Sequence, residues 1–209
     1  EAVSGPALAE WCGDEMKKQQ EKWGALVKRK AGIVPLSAER GTISPERAWD
    51  LVKKREQELA KAEEAIREED KQAAKKQTAE WQKKAEAQAK ELWGAGALVG
   101  GVRWIGKDLG EVAAGYLPVL ADRLKKEGEV VVFLTGRENG KVPLLAVCTP
   151  EVAKRVQAGK LIQAAAPEVG GKGGGRPDAA QGSGTNPEGI VKALAAAEKL
   201  VKSSLGGGS

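Results

Sequence analysis

The sequence predicts an α+β fold: a long antiparallel helical hairpin, coiled-coil-like, followed by a small α/β globular domain with a mixed sheet and a glycine-rich loop. Three observations predict it. Residues 1–93 hold 5 of the 27 glycines, and none falls between Thr42 and Trp93. Val52, Leu59, Ile66 and Ala73 recur every seven residues, with Ala48 and Ala62 between them. After Gly94 the pattern changes to short β-branched runs separated by glycine-bearing turns. The expected division is therefore a helical subdomain over 1–93, a globular domain over 94–205 and a flexible tail over 206–209.

The first expected helix carries Leu8, Cys12, Met16, Trp23 and Leu26 on one stripe. The stretch 31–43, with Gly32, Pro35 and Gly41, is read as the reversal. The second helix opens where Ser44 suits the N-cap, Pro45 suits the first helical position and Glu46 suits the positive end of the dipole. It is rich in Ala, Glu, Lys and Gln and should continue to Trp93, roughly 70 Å at about 1.5 Å per residue. Its apolar seam is narrow, and Arg55 and Glu69 take the alternate half-heptad positions, which suits one close neighbour. Asp50–Lys54, Glu63–Arg67, Glu80–Lys84 and Glu86–Lys90 offer i,i+4 support. The excess length leaves room for a homodimer through this region.

In the globular half, 99–105 and 130–135 read as strands, and 141–148 pairs back as a hairpin. A helix is expected over 116–126, ended by Gly128, and another over 161–169, stopped at Gly170. Thr149-Pro150-Glu151 and Asn186-Pro187-Glu188 open two more, the last bearing Ile190, Val191, Leu194, Ala197, Leu200 and Val201 on one face.

The composition excludes much chemistry. There is no histidine, so no Ser-His-Asp or Cys-His nucleophile, histidine base or histidine metal site can be built. Cys12 and Cys148 stand alone and indicate neither a zinc site nor a disulfide framework. The longest charge-free stretch, 92–102, is too short to span a bilayer, so no membrane is expected as a partner. No catalytic residue, metal ligand or cofactor site is assigned. The net charge of +5 lies mostly in the second half, where 15 basic side chains face 11 acidic ones.

The most informative segment is Gly170-Gly171-Lys172-Gly173-Gly174-Gly175-Arg176-Pro177-Asp178-Ala179-Ala180-Gln181-Gly182-Ser183-Gly184. A glycine run broken only by Lys172 cannot be a helix or a central strand. Such backbone can turn several N–H groups toward an anion, with Lys172 and Arg176 as flanking cations. It also suits a crossing where two backbones approach too closely for side chains. Lys172 is followed by Gly173, so the segment is no Walker loop, and it lacks dinucleotide spacing.

In its setting this segment resembles the C-terminal (C-Ala) domain of alanyl-tRNA synthetase, whose globular half is the DHH-associated domain. The family signature is of the type G-G-K-G-G-G-R-P-D-x-A-Q-x-G-G. Residues 170–178 match it throughout, as do Ala180, Gln181 and Gly184, whereas Ala179 replaces the usual methionine and Ser183 one glycine of the closing pair. Residues 1–5 resemble the stretch that closes the synthetase's editing domain. The resemblance implies a non-catalytic, cytoplasmic or organellar part of an alanine–tRNA ligase that docks the tRNA elbow and assists aminoacylation and editing. Its implied partners are tRNA, tRNA-Ala in particular, and the remaining synthetase domains.

On that reading the nucleic-acid contacts are Lys172, Gly173, Gly174, Gly175, Arg176 and Gln181, with Lys154, Arg155 and Lys160 as a second basic cluster. Gly170, Gly171, Pro177, Asp178 and Gly184 shape the loop, Asp178 by accepting glycine N–H groups or holding Arg176. Lys154, Arg155 and Lys160 also suit a solvated helix face, as do Lys17, Lys18, Lys22, Lys28, Arg29 and Lys30. Five tryptophans, Trp11, Trp23, Trp49, Trp81 and Trp93, read as seam or contact fillers, and Trp104 as core. Two other readings stay open: a structural dimerisation module, and the associated domain of a DHH-type phosphoesterase.

Overall fold

The computed structural model describes residues 6–38 and 43–206; the editing-domain-like stretch 1–5, Gly41 of the expected reversal and residues 207–209 lie outside the described residues. The chain packs as two units, Glu1–Gln77 and Thr78–Ser209, and the boundary falls inside the second helix. Composition changes later, at Trp93, because glycine enters only where the helix stops.

In the first unit, α1 (Pro6–Arg29) packs on the early part of α2 (Pro45–Ala95). Ser44 opens α2 as expected, its carbonyl accepting the Ala48 N–H at 2.9 Å. The direction of packing differs from the antiparallel hairpin expected. Cys12 clusters with Ala48 and Val52, Gln19 donates to the Val52 carbonyl at 3.0 Å, and Arg55 donates to Gln20 at 3.2 Å. Trp23 packs with Leu59, and Arg29 and Lys30 pair with Asp70 and Glu69. Residue numbers rise together along both helices, so α1 and α2 run parallel.

The connector makes this possible. A connector of fifteen residues, 30–44, can span up to roughly 50 Å, more than the about 36 Å of a 24-residue helix. Its described part runs back along the pair. Leu36 packs with Trp23 and Leu59, and Ile43 with Cys12 and Val52. Ser37 donates both its N–H and its hydroxyl to Glu58, at 2.9 and 2.5 Å. Arg55 sits nearly buried, donating to the Ser37 carbonyl at 2.8 Å as well as to Gln20, so it clamps three segments. Burial alone pushes the Glu58 carboxyl up, but the two Ser37 bonds and the charges of Lys54 and Arg55 outweigh it and leave the pKa lowered. The seam ends at Ile66, and every side chain from 67 to 80, Ala73 included, is exposed.

The second unit is a six-stranded sheet in the order β1-β2-β3-β4-β6-β5, covered on both faces. Its strands are β1 (Ala97–Val99), β2 (Val102–Glu111), β3 (Val130–Arg137), β4 (Val142–Cys148), β5 (Lys172–Gly175) and β6 (Ala179–Gly184). Only β2 and β3 are parallel, joined by α3 (Tyr116–Leu124); the other pairs are antiparallel, so the sheet is mixed as expected. The single strand expected over 99–105 is instead split. Gly100 and Gly101, at φ +56° and +83°, make a two-residue turn closed by Val99 and Val102. From there β2 runs six residues further than expected, to Glu111.

The residues of β3 and β4 are nearly all buried because both faces are roofed. One face, with Val131, Phe133, Leu144 and Ala146, lies under α4 (Pro150–Ala153), α5 (Ala158–Ala165) and α6 (Ile190–Gly206). The other, with Val130, Val132, Leu145 and Val147, lies under α3 and Ala85, Ala89 and Leu92 of α2. Trp104 is core, as expected. Thr149 does not cap α4 with its side chain; its hydroxyl accepts the Val130 N–H instead. Asn186 caps as expected, accepting the Glu188 N–H, but a 3₁₀ turn (Pro187–Gly189) precedes α6. Val191 lies off the buried face of α6 and is exposed, and Gly206 closes that helix. Within the unit Glu86 meets Arg123 rather than Lys90, and Lys84 lies over the Tyr116 ring rather than beside Glu80.

Two outcomes follow from this packing. Cysteines placed at Trp11 and Trp49, whose ring centroids lie 5.3 Å apart, will be joined by a short bis-maleimide in high yield; an antiparallel hairpin turning at 31–43 would hold these two positions far apart. Gly184→Ala places a Cβ 2.2 Å from the Val169 carbonyl oxygen and will cost about 1–3 kcal/mol, read as a lower urea midpoint.

Candidate nucleic-acid interface

The glycine-rich segment is not a free loop. Lys172–Gly175 forms β5 at the edge of the sheet and pairs with β6 through Lys172↔Ser183, Gly173↔Gly182, Gly174↔Gln181 and Gly175↔Ala180. The sequence rules out a central strand for these glycines but permits an edge strand, which has one partner rather than two. The glycines serve close approach. A Cβ on Gly173 would stand 2.5 Å from both Ile162 of α5 and the Gly182 Cα, and one on Gly171 2.0 Å from the Ser183 carbonyl oxygen. Gly170 takes the left-handed conformation, at φ +64°, to close the 3₁₀ turn Ala166–Val169, and Gly175 also has a positive φ, +157°. Gly174 differs, since its Cβ would meet nothing closer than Gln163 at 4.0 Å.

The turn between β5 and β6 is Pro177-Asp178, closed by the Arg176 N–H bond to the Ala179 carbonyl at 2.9 Å. Both turn carbonyls are anchored, that of Pro177 by the Ala158 N–H at 2.8 Å and that of Asp178 by the Cys148 N–H at 2.9 Å. The closing bond also fixes the alternation of the ladder. Residues 172, 174 and 176 bond to β6, so Gly173 and Gly175 direct their N–H groups outward from the sheet. Both residues are exposed. Outward N–H groups without side chains around them suit anionic oxygens.

The cations around this edge are not equivalent. Asp178 holds Arg176 in a two-bond fork, Nε to Oδ1 and Nη2 to Oδ2 both at 3.1 Å, on a side chain 78% exposed. A surface pair of this kind contributes little stability but fixes the guanidinium plane. Lys154 pairs with Glu151 at 2.7 Å. Arg155 reaches the Leu205 carbonyl at 3.4 Å. Lys172 and Lys160 have no carboxylate within ion-pair distance among the described residues, and they are the cations most available to an incoming anion.

The expected residues fall into two groups. Lys154, Arg155 and Lys160 line one cavity of about 210 Å³ with Leu200 and Ser204, on the side roofed by α5 and α6. The Ala158 N–H bond to Pro177, and Gly159 packed on the Gly175 carbonyl, bring this cluster beside Arg176. Gln181 lies on the other side, lining a second cavity with Leu117 and Pro118 of α3. The sheet therefore separates Gln181 from the Lys160 cluster, while β5, with Lys172, forms the rim that both groups approach. The sequence suggested outward N–H groups along the glycines but not that they are those of Gly173 and Gly175 rather than Gly174, nor that Ser183 lies beside Gln181; both depend on register rather than on residue type.

Cys148 ends β4 beneath the turn. Burial above all, and then the Asp178 charge, push its thiol up to about 12, against the bond from the Ala158 N–H. It stays a neutral thiol at physiological pH. Iodoacetamide at pH 8 will label the folded protein at least a hundredfold more slowly than the urea-unfolded chain, and mass spectrometry checks it. Cys12, also buried and with its pKa raised by burial, will behave alike.

Comparison with known proteins matches residues 101–203 to the DHHA1 domain family. Alanine–tRNA ligase of Burkholderia vietnamiensis is 41% identical over 124 residues, which cover 59% of this chain and 14% of that protein. The ligase of Ruthia magnifica is 48% identical over 83 residues, 39% of this chain and 10% of that one. The match thus spans about a seventh or less of these relatives' length. The solved C-Ala domain of Aquifex aeolicus alanyl-tRNA synthetase has 28% identity and a TM-score of 0.48, covering 51% of this chain and 97% of that domain.

Proposed function

We propose that this chain, whose residues 101–203 belong to the DHHA1 domain family, is a tRNA-binding module of an alanine–tRNA ligase. The observation that carries the reading is the β5 edge, where two outward backbone N–H groups stand between unpaired Lys172 and the Lys160 cluster. Identity to alanine–tRNA ligases, whose substrate is a tRNA by name, supports it. Phosphates of a folded RNA meet the glycine edge without side-chain obstruction. Lys172 and Lys160 supply charge, and the Asp178-held Arg176 presents a plane to a phosphate or base. The charge excess is small, so affinity is moderate and falls steeply with salt. We assign the outer corner of the tRNA as the docked region and aminoacylation and editing as the activities it assists. The module itself contributes no catalytic group.

Filter binding of the full chain to a tRNA-Ala transcript over a salt series tests this. Lys160→Ala and Lys172→Ala will each weaken binding by about 1 kcal/mol, roughly fivefold, and lower the salt slope by about one. Unchanged affinity and slope in both variants would overturn the reading.

A further inference from the structure

The cavity on the α3 side of the glycine hairpin has a composition that phosphate contacts do not explain. It holds about 170 Å³ and is floored by Leu117, Pro118 and Leu145, with Gln181 and Ser183 on its rim. An apolar cavity of about 150 Å³ accommodates a benzene ring, so this one has room for a single planar heterocycle. The Gln181 amide and the Ser183 hydroxyl make no side-chain hydrogen bond among the described residues. They offer a donor and acceptors above an apolar floor. Lys141 lines the same cavity without a carboxylate partner among the described residues, and Lys172 is paired across the ladder with Ser183. Glu138, the one carboxylate in the lining, is tied to the Ala114 N–H at 3.1 Å. Gly174, opposite Gln181, adds no side chain to the approach.

We propose that this cavity takes one unstacked base of the bound RNA. Its faces lie against Leu117 and Pro118, its polar edge meets Gln181 and Ser183, and its phosphates lie at Lys172 and Lys141. An aliphatic peptide side chain would leave the amide and hydroxyl unsatisfied, whereas a base edge pairs with both. The inference rests on the tRNA-binding reading and deepens it, since it gives the second face of the hairpin a separate task, the capture of a loop nucleotide.

The test is base-specific chemical probing of a tRNA-Ala transcript bound to the full chain, wild type against Gln181→Leu and Ser183→Phe. Gln181→Leu keeps volume at an exposed position and removes the amide, so it remains informative if the larger Ser183→Phe fails to fold. The wild type is expected to protect one unpaired loop base. Both variants will re-expose that base and bind roughly five- to tenfold more weakly, with an unchanged salt slope. Should Gln181→Leu protect the same base with wild-type affinity while Lys172→Ala still weakens binding, the cavity proposal falls and the tRNA reading stands. If the wild type leaves the transcript unprotected throughout, both fall.

Discussion

The second unit depends on how closely α5 and the turn after it approach the β5–β6 hairpin. Backbone meets backbone there at distances no Cβ permits. Gly171, Gly173 and Gly184 would each drive a methyl to within 2.5 Å of a neighbouring heavy atom. Ordinary side chains would hold α5 away from the strand it covers. Removing them on β5 lets α5 lie on the edge strand, and the anchored carbonyls of Pro177 and Asp178 then hold the turn against the ends of α5 and β4. One steric constraint thus sets the rim of the sheet and the aim of its outward N–H groups.

The first unit shows a different economy. Two helices joined by a short loop must run antiparallel, and a reader of the sequence counts the connector as such a loop. Its fifteen residues are long enough to travel the length of α1 and start α2 beside the beginning of α1. The return strand then needs polar partners for its backbone, and Arg55 and Glu58 provide them. Arg55 occupies what is nominally a seam position, so the polar residue there is a strut for the connector rather than a flaw in the zipper. Trp11 and Trp49, at the open end, pack with ring centroids 5.3 Å apart and planes tilted by 45°, and remain about two-fifths exposed.

Much of this was legible beforehand. The absence of glycine over 42–93, the cap at Ser44 and the apolar runs at 130–135 and 142–148 each report a local preference, and local preferences specified α2, β3 and β4. The glycine signature marked residues 170–184 as one element, and the structure folds them into the β5–β6 hairpin and the turn before it. What was not legible is non-local. The direction of α1 relative to α2 is set by the path of the connector, and nothing in the periodicity of either helix encodes it. A strand of four residues, three of them glycine, has no β propensity to detect; β5 exists because β6 and α5 bracket it. The side of the sheet on which Gln181 sits follows from a register with β4 and β5, which a list of residue types does not contain.

The rim strand has one further consequence. Backbone sterics dictate glycine at Gly173 and Gly175 of β5, whereas Lys172 already carries a side chain that points clear of those contacts. Charge there can change without moving an atom of the sheet. The grip of this edge on a polyanion is therefore adjustable through one codon, while the architecture that presents it tolerates almost no drift.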